Sequence, residues 1–178
     1  APVGFAATSV ATSDATAKDG SSAAAQSTAS SVGDGAVAIA DSNANANHDS
    51  VAVADSDAKA TSVSEDSGAS VLAVARSDAN ANVDSVASAT SDVSATGIAT
   101  HDSNVNIAAG AGSVANAGYG SSSTAKSDVN VWGAATDHSD VNVEVVALSD
   151  AEALIGSDAD ATSILHVDAA ADHHSDTS

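Results

Sequence analysis

Six histidines and 24 acidic side chains are the groups through which this chain could hold a metal ion or move a proton. Several adjoin one another: His48-Asp49, His101-Asp102, Asp137-His138 and the run Asp172-His173-His174-Ser175-Asp176, with His166 standing apart. Zinc needs three or four ligands converging in a tetrahedron. Thiolate ligands are excluded, since the chain contains no Cys, and no His-x-x-x-His lies on a credible helix. The expected place of most of these side chains is a corner or tail facing water. His173, His174, Asp172 and Asp176 are the candidate metal ligands, and stacked His–Asp corners are a second place for a divalent ion. Ser, His and Asp are so common here that their coexistence does not make a hydrolytic triad. A nucleophile elbow needs Gly-x-Ser-x-Gly between a strand and a helix, and that motif is absent. Neither Gly110-Ala111-Gly112 nor Gly118-Tyr119-Gly120 opens an amphipathic helix, as a phosphate-cradling loop would. The residues predict no catalytic centre and no bound cofactor.

The elements that must position these groups are announced by alternation. After a Ser-Asp or Ser-Asn pair, small apolar and polar residues take turns: Ser42-Asn43-Ala44-Asn45-Ala46-Asn47, Ser77-Asp78-Ala79-Asn80-Ala81-Asn82, Ser127-Asp128-Val129-Asn130-Val131-Trp132 and several more. A period of two describes a strand with one buried face. Apolar runs such as Val51-Ala52-Val53-Ala54 precede the pairs and read as further strands. Ser, Asp and Asn bond nearby backbone groups and favour turns, so each pair is expected to form a corner. Ala44 and Ala46 are then inward on even numbers, Val51 and Val53 inward on odd ones, with a bend at His48-Asp49-Ser50 absorbing the slip. Trp132 should face outward, beside Asn130.

Ser42 to Ser56 and Ser77 to Ser91 are each 14 residues apart by subtraction. Repeating units of this size point to a solenoid. The expected fold is all-β, a parallel β-solenoid (β-roll) with short turns of about 12–14 residues, a thin Ala/Val core and a length of roughly 60 Å at about 4.8 Å per coil. Residues 34–167 form the solenoid, 1–33 an irregular segment or cap, and 168–178 a polar tail. So thin a core has no room for a cofactor pocket of about 300 Å³ or more.

Composition bounds the partners. A net charge of -20 with four Lys and Arg residues would repel nucleic acid and anionic membranes, and no run is long enough to insert in a bilayer. The small residues Ala1-Pro2-Val3-Gly4 read as the start left by a removed secretory signal, which places the chain outside the cell. If Asp57, Asp78, Asp92, Asp128, Asp140 and Asp150 share one corner, they form an acidic ladder. Carboxylates about 4.8 Å apart repel by roughly 0.9 kcal/mol even in water, so diffuse Ca2+ binding or salt should stabilise it.

The phrases Gly35-Ala36-Val37-Ala38-Ile39-Ala40 with Ala44-Asn45-Ala46, and Asp49-Ser50-Val51-Ala52-Val53-Ala54 with Ala58-Lys59-Ala60, resemble the head-domain β-roll of trimeric autotransporter adhesins over about residues 34–100. Those heads repeat a similar phrase about every 14 residues. Ala40 and Ala54 stand where that family has a turn Gly, and no coiled-coil stalk or membrane anchor follows. The resemblance implies a β-roll and self-association. The functional expectation is a non-enzymatic extracellular structural protein, a self-associating subunit of a fibre, filament or coat. An adhesive module for a host surface, mineral or ice, and a disordered acidic matrix protein, are the alternatives.

Overall fold

The computed structural model describes residues 6–33, 35–65, 69–101, 104–138, 140–172 and 176–178. Eleven strands follow one another along the chain: β1 Ala6–Lys18, β2 Ser22–Val32, β3 Gly35–Asn47, β4 Val51–Glu65, β5 Ala69–Asn82, β6 Val86–Thr100, β7 Asn104–Ala117, β8 Ser122–Thr136, β9 Asp140–Ala153, β10 Asp158–Asp172 and the short β11 Asp176–Thr177. Odd-numbered strands build one sheet in the order β1-β3-β5-β7-β9-β11, and even-numbered strands a second in the order β10-β8-β6-β4-β2. Every pairing is parallel. The chain is a parallel β-solenoid: two sheets face to face, with a strand from each making one coil.

The coil is longer than the spacing predicts. Ser22 pairs with Val51, Val51 with Val86, Val86 with Ser122 and Ser122 with Asp158, so successive coils take 29, 35, 36 and 36 residues. The 14-residue beat measures half a coil, from the middle of one strand to the middle of the next. The next interval, Ser56 to Ser77, is 21 residues by subtraction and is the other, longer half, in which β4 runs on to Glu65 and β5 begins at Ala69. The body is a slab about 24 Å along the stack and about 46 Å along the strands, not a 60 Å rod.

The Ser–Asp pairs are not corners. Ser27, Ser42, Ser56, Ser77, Ser91, Ser113 and Ser127 lie mid-strand and are buried. Each hydroxyl, from Ser27 through Ser149, donates across the slab to the carbonyl just before the next Ser: Asp41, Asp55, Arg76, Thr90, Gly112, Lys126, Leu148 and Thr162, at 2.5–2.9 Å. Neighbouring hydroxyls also meet, Ser27 with Ser42 and Ser42 with Ser56, both at 2.9 Å. A buried hydroxyl is costly unless bonded. Here its partner is on the opposite sheet, which holds the sheets close and in register. The expected bend at His48-Asp49-Ser50 is present, with His48 and Asp49 at positive φ, but parity does not slip across it. Ala52 and Ala54 are fully buried, while Val51 and Val53 are 40% and 37% exposed, the reverse of the expected phase.

The true corners are three or four residues long at one end of the strands. His48 and Asp49 (φ 53° each), Val83 and Asp84 (φ 37° and 51°), and Asp19 and Gly20 (φ 53° and 75°) place two consecutive residues in the left-handed region, the backbone of a tight reversing turn. Ser50 and Ser85 close these corners by donating to the carbonyls of Asn47 and Asn82 at 2.8 and 2.6 Å. Gly120 (φ 65°) sits in the left-handed region that favours glycine, and a Cβ there would press on the Asp84 carboxylate, which would have to move aside. The first coil begins inside the segment expected to be irregular, and β10 runs through Asp172 into the expected tail. Gly110 and Gly112 lie within β7.

Candidate interaction surfaces

Alternation sends every second side chain outward, so the chemistry of this molecule is laid out on two flat faces and two rows of corners. On the outer face of the even-numbered sheet, Asp57, Asp92 and Asp128 stand in register on β4, β6 and β8. Half of the expected ladder is thus real. Asp78 and Asp150 lie on the other sheet, parted by Val114, and Asp140 pairs with Asn104 at a strand start. Burial against its neighbours is the main reason the Asp92 carboxyl sits above the ordinary carboxylate range; Lys126 pulls it down, and Asp128, Asp55 and Asp57 push it up. Lys126 Nζ is 3.9 Å from Asp128 Oδ2, and Gln26 donates to Asp55 at 3.3 Å. Trp132 faces outward, as expected, with Asp168 beside it on β10.

The described histidines do not converge. His48 lies at a corner, exposed. His101 Nε2 is 3.6 Å from Asp137 Oδ2 at stacked corners, and His166 Nε2 is 3.0 Å from Asp168 Oδ2 along one strand. His173 and His174 lie outside the described residues, as does the side chain of Asp176; Asp172 ends β10 and is exposed. Among the described residues, no three His, Asp or Glu side chains are grouped to hold an ion.

The outer face of the odd-numbered sheet differs. Toward the end of the strands leading to the tight corners it carries an Asn ladder: Asn80 donates to Asn45 at 3.1 Å and Asn116 to Asn80 at 2.8 Å. Three columns over its centre are mostly apolar. In register they run Thr8-Val37-Leu72-Ala108-Glu144, Val10-Ile39-Val74-Gly110-Val146 and Thr12-Asp41-Arg76-Gly112-Leu148. Because β7 contributes only Ala108, Gly110 and Gly112, the face is trenched there. Two open recesses result, of about 410 Å³ beside Leu72 and Ala108 and about 350 Å³ between Arg76 and Leu148. Recesses of cofactor size therefore do exist, but on the outside of the slab. Sequence reasoning missed this face because its columns join residues 35 or 36 positions apart, a register that no stretch of sequence displays.

Comparison with protein-family models, curated proteins and solved structures finds no match for this chain. The adhesin-like phrase lies in a different setting here: Ala40 and Ala54 are buried within strands, and the coil holds 35 or 36 residues where the phrase occurs or follows.

Proposed function

We propose that this chain is a non-catalytic extracellular structural protein, a subunit that self-associates into a fibre, filament or coat. One observation carries the reading. β10 turns Leu165 and Val167 toward the core side, yet they are 53% and 41% exposed; among the described residues the strand that faces them beyond β9 is the two-residue β11. Unpaired strand edges with an uncovered apolar inner face are templates for a further strand. The ladders of Asn, Ser and Ala supply the register such a strand would adopt. A composition without Cys or Met also lacks the side chains most readily oxidised outside a cell. The ordered stack argues against a disordered matrix protein. The flat trenched face gives the adhesive reading its own support, in second place.

Electron microscopy and light scattering across a concentration series test the proposal. The expected outcome is elongated assemblies whose threshold concentration rises at least about tenfold in Leu165→Asp, about 1.4 kcal/mol per added subunit. A wild-type chain that stays a monodisperse monomer at the highest concentrations would end it.

A further inference from the structure

The central columns on the outer face of the odd-numbered sheet have a relief that is complementary to itself. Taking β5 as the middle strand, β3 on one side is raised by Val37 and Ile39, and β7 on the other is hollowed at Ala108 and Gly110. Nothing in the fold requires the hollow. A Cβ on Gly110 would meet only the Val146 carbonyl oxygen at 3.9 Å, and one on Gly112 would meet nothing within 4 Å. Glycine in a strand weakens it, so these two cost stability without serving the interior. We infer that this face is a homodimer interface: a second copy of the chain lies on it face to face, related by a two-fold axis along β5.

That axis keeps each column over itself and exchanges β3 with β7 and β1 with β9. Val37 and Ile39 then lie over Ala108 and Gly110 of the second copy, and Val10 over its Val146. Leu72 and Val74 meet their own counterparts. The charges follow the same symmetry. Asp41 comes over Gly112 of the second copy, within side-chain reach of that copy's Arg76, while each Arg76 keeps its contact with Asp78, 3.1 Å away. Arg76, also on β5, meets its own counterpart on the axis, and the two guanidinium groups are flanked by the two Asp41 carboxylates and by each copy's own Asp78. The three columns hold Asp41, Glu144 and Arg76, a net of -1 out of -20 for the chain. Two such acidic molecules can approach here with little repulsion, whereas the other outer face carries the Asp57-Asp92-Asp128 ladder. Three columns about 7 Å apart on five strands cover roughly 500 Å² per copy. The total of about 1,000 Å² stands at the lower limit for a specific interface, which gives a weak, concentration-dependent dimer.

This inference rests on the reading that the chain self-associates, and sedimentation equilibrium on the whole chain separates the two. Val74→Lys, which puts two further cations without acidic partners at the apolar centre of the axis, next to the Arg76 pair, should weaken the dimer by at least about a hundredfold. Gly110→Val fills the hollow and should weaken it at least about tenfold. In the monomer the same substitution replaces a strand glycine with a good strand former, so the melting temperature of dilute protein should hold or rise. A lost fold cannot mimic that pair of opposite shifts. If Gly110→Val leaves dimerisation unchanged or tightens it, the face is not the interface. If association persists in Val74→Lys but disappears in Leu165→Asp, the face is overturned and edge-to-edge growth stands. A wild type that is monomeric throughout overturns both.

Discussion

Ala89, Ser91 and Val93 occupy three successive inward positions of β6, and the serine divides two unlike interiors. On the side of the tight corners the buried cluster is alanine alone, including Ala44, Ala46, Ala52, Ala54, Ala79, Ala81, Ala87 and Ala89. On the other side alanines are joined by Val71, Val93, Ile107, Val129 and Val131. Both halves are buried and share the same strands. Close packing leaves no slack for a branched side chain where two sheets are held together by methyl groups; the valines of the narrow half, Val51, Val53 and Val86, are accordingly on its outer surface. The serine bonds set the sheet separation at the dividing line. The half beyond opens enough for larger residues. Solenoid thickness is thus tuned along a strand, not only between coils.

Paired substitutions on either side of Ser91 test this contrast most sharply. Ala89→Leu should cost about 3 kcal/mol or more, because the added carbons can be housed only by parting the sheets or breaking the serine bonds. Val93→Ala should cost about 2 kcal/mol through lost burial and a cavity. Urea denaturation of the two variants measures both. If Ala89→Leu cost less than Val93→Ala, the narrow half would not be narrow.

The next effect is smaller and has the opposite sign. Val83 is a β-branched residue at φ 37°, in the corner that ends the alanine half, where the preceding coils place Asp19 and His48. Left-handed backbone costs an L-residue about 1–2 kcal/mol, with Gly exempt, though Gly adds unfolded-state entropy. Val83→Gly should therefore stabilise by up to about 1 kcal/mol, seen as a higher denaturation midpoint with an unchanged slope. A loss of stability would mean that Val83 packs in the corner strongly enough to outweigh its backbone.

What could be read in the sequence follows from which interactions are local. Period-two alternation is local, and it revealed the strands, the solenoid and the small-residue interior. The phase at Val51 and Val53 was misread because a larger apolar residue normally belongs inside, and only the distance between sheets reverses that. Ser42-Asn43 and Ser56-Asp57 resemble corners because Ser and Asp favour turns; their burial depends on carbonyls of the opposite strand, which no window of sequence contains. The beat of 14 was visible, but a half-coil and a coil carry the same alternation. Of the expected sites, the Asp57-Asp92-Asp128 ladder followed from the repeat, whereas the trenched face depends on register between residues about 36 positions apart.

The smallest effect lies outside the dividing line. Each Ser–Asp pair spans its sheet, Ser91 into the seam and Asp92 above it, so the acidic ladder runs along the boundary between the two halves. Burial and the flanking Asp128, Asp55 and Asp57 hold the Asp92 carboxyl above its ordinary value despite Lys126. Between the ordinary and the raised value, the folded chain keeps a proton that the unfolded chain has released. Stability from this group therefore falls as pH rises through that interval, and the full penalty applies above it. Asp92→Asn removes the penalty and should raise Tm at neutral pH by about 2 °C or less, since the side chain is largely exposed and screened. At about pH 3, where the carboxyl is protonated in both states, variant and parent should melt together, and added salt at neutral pH should narrow their difference. Equal melting at both pH values would mean that water and Lys126 already neutralise the ladder, leaving the boundary between thin and thick halves a matter of packing and serine bonds alone.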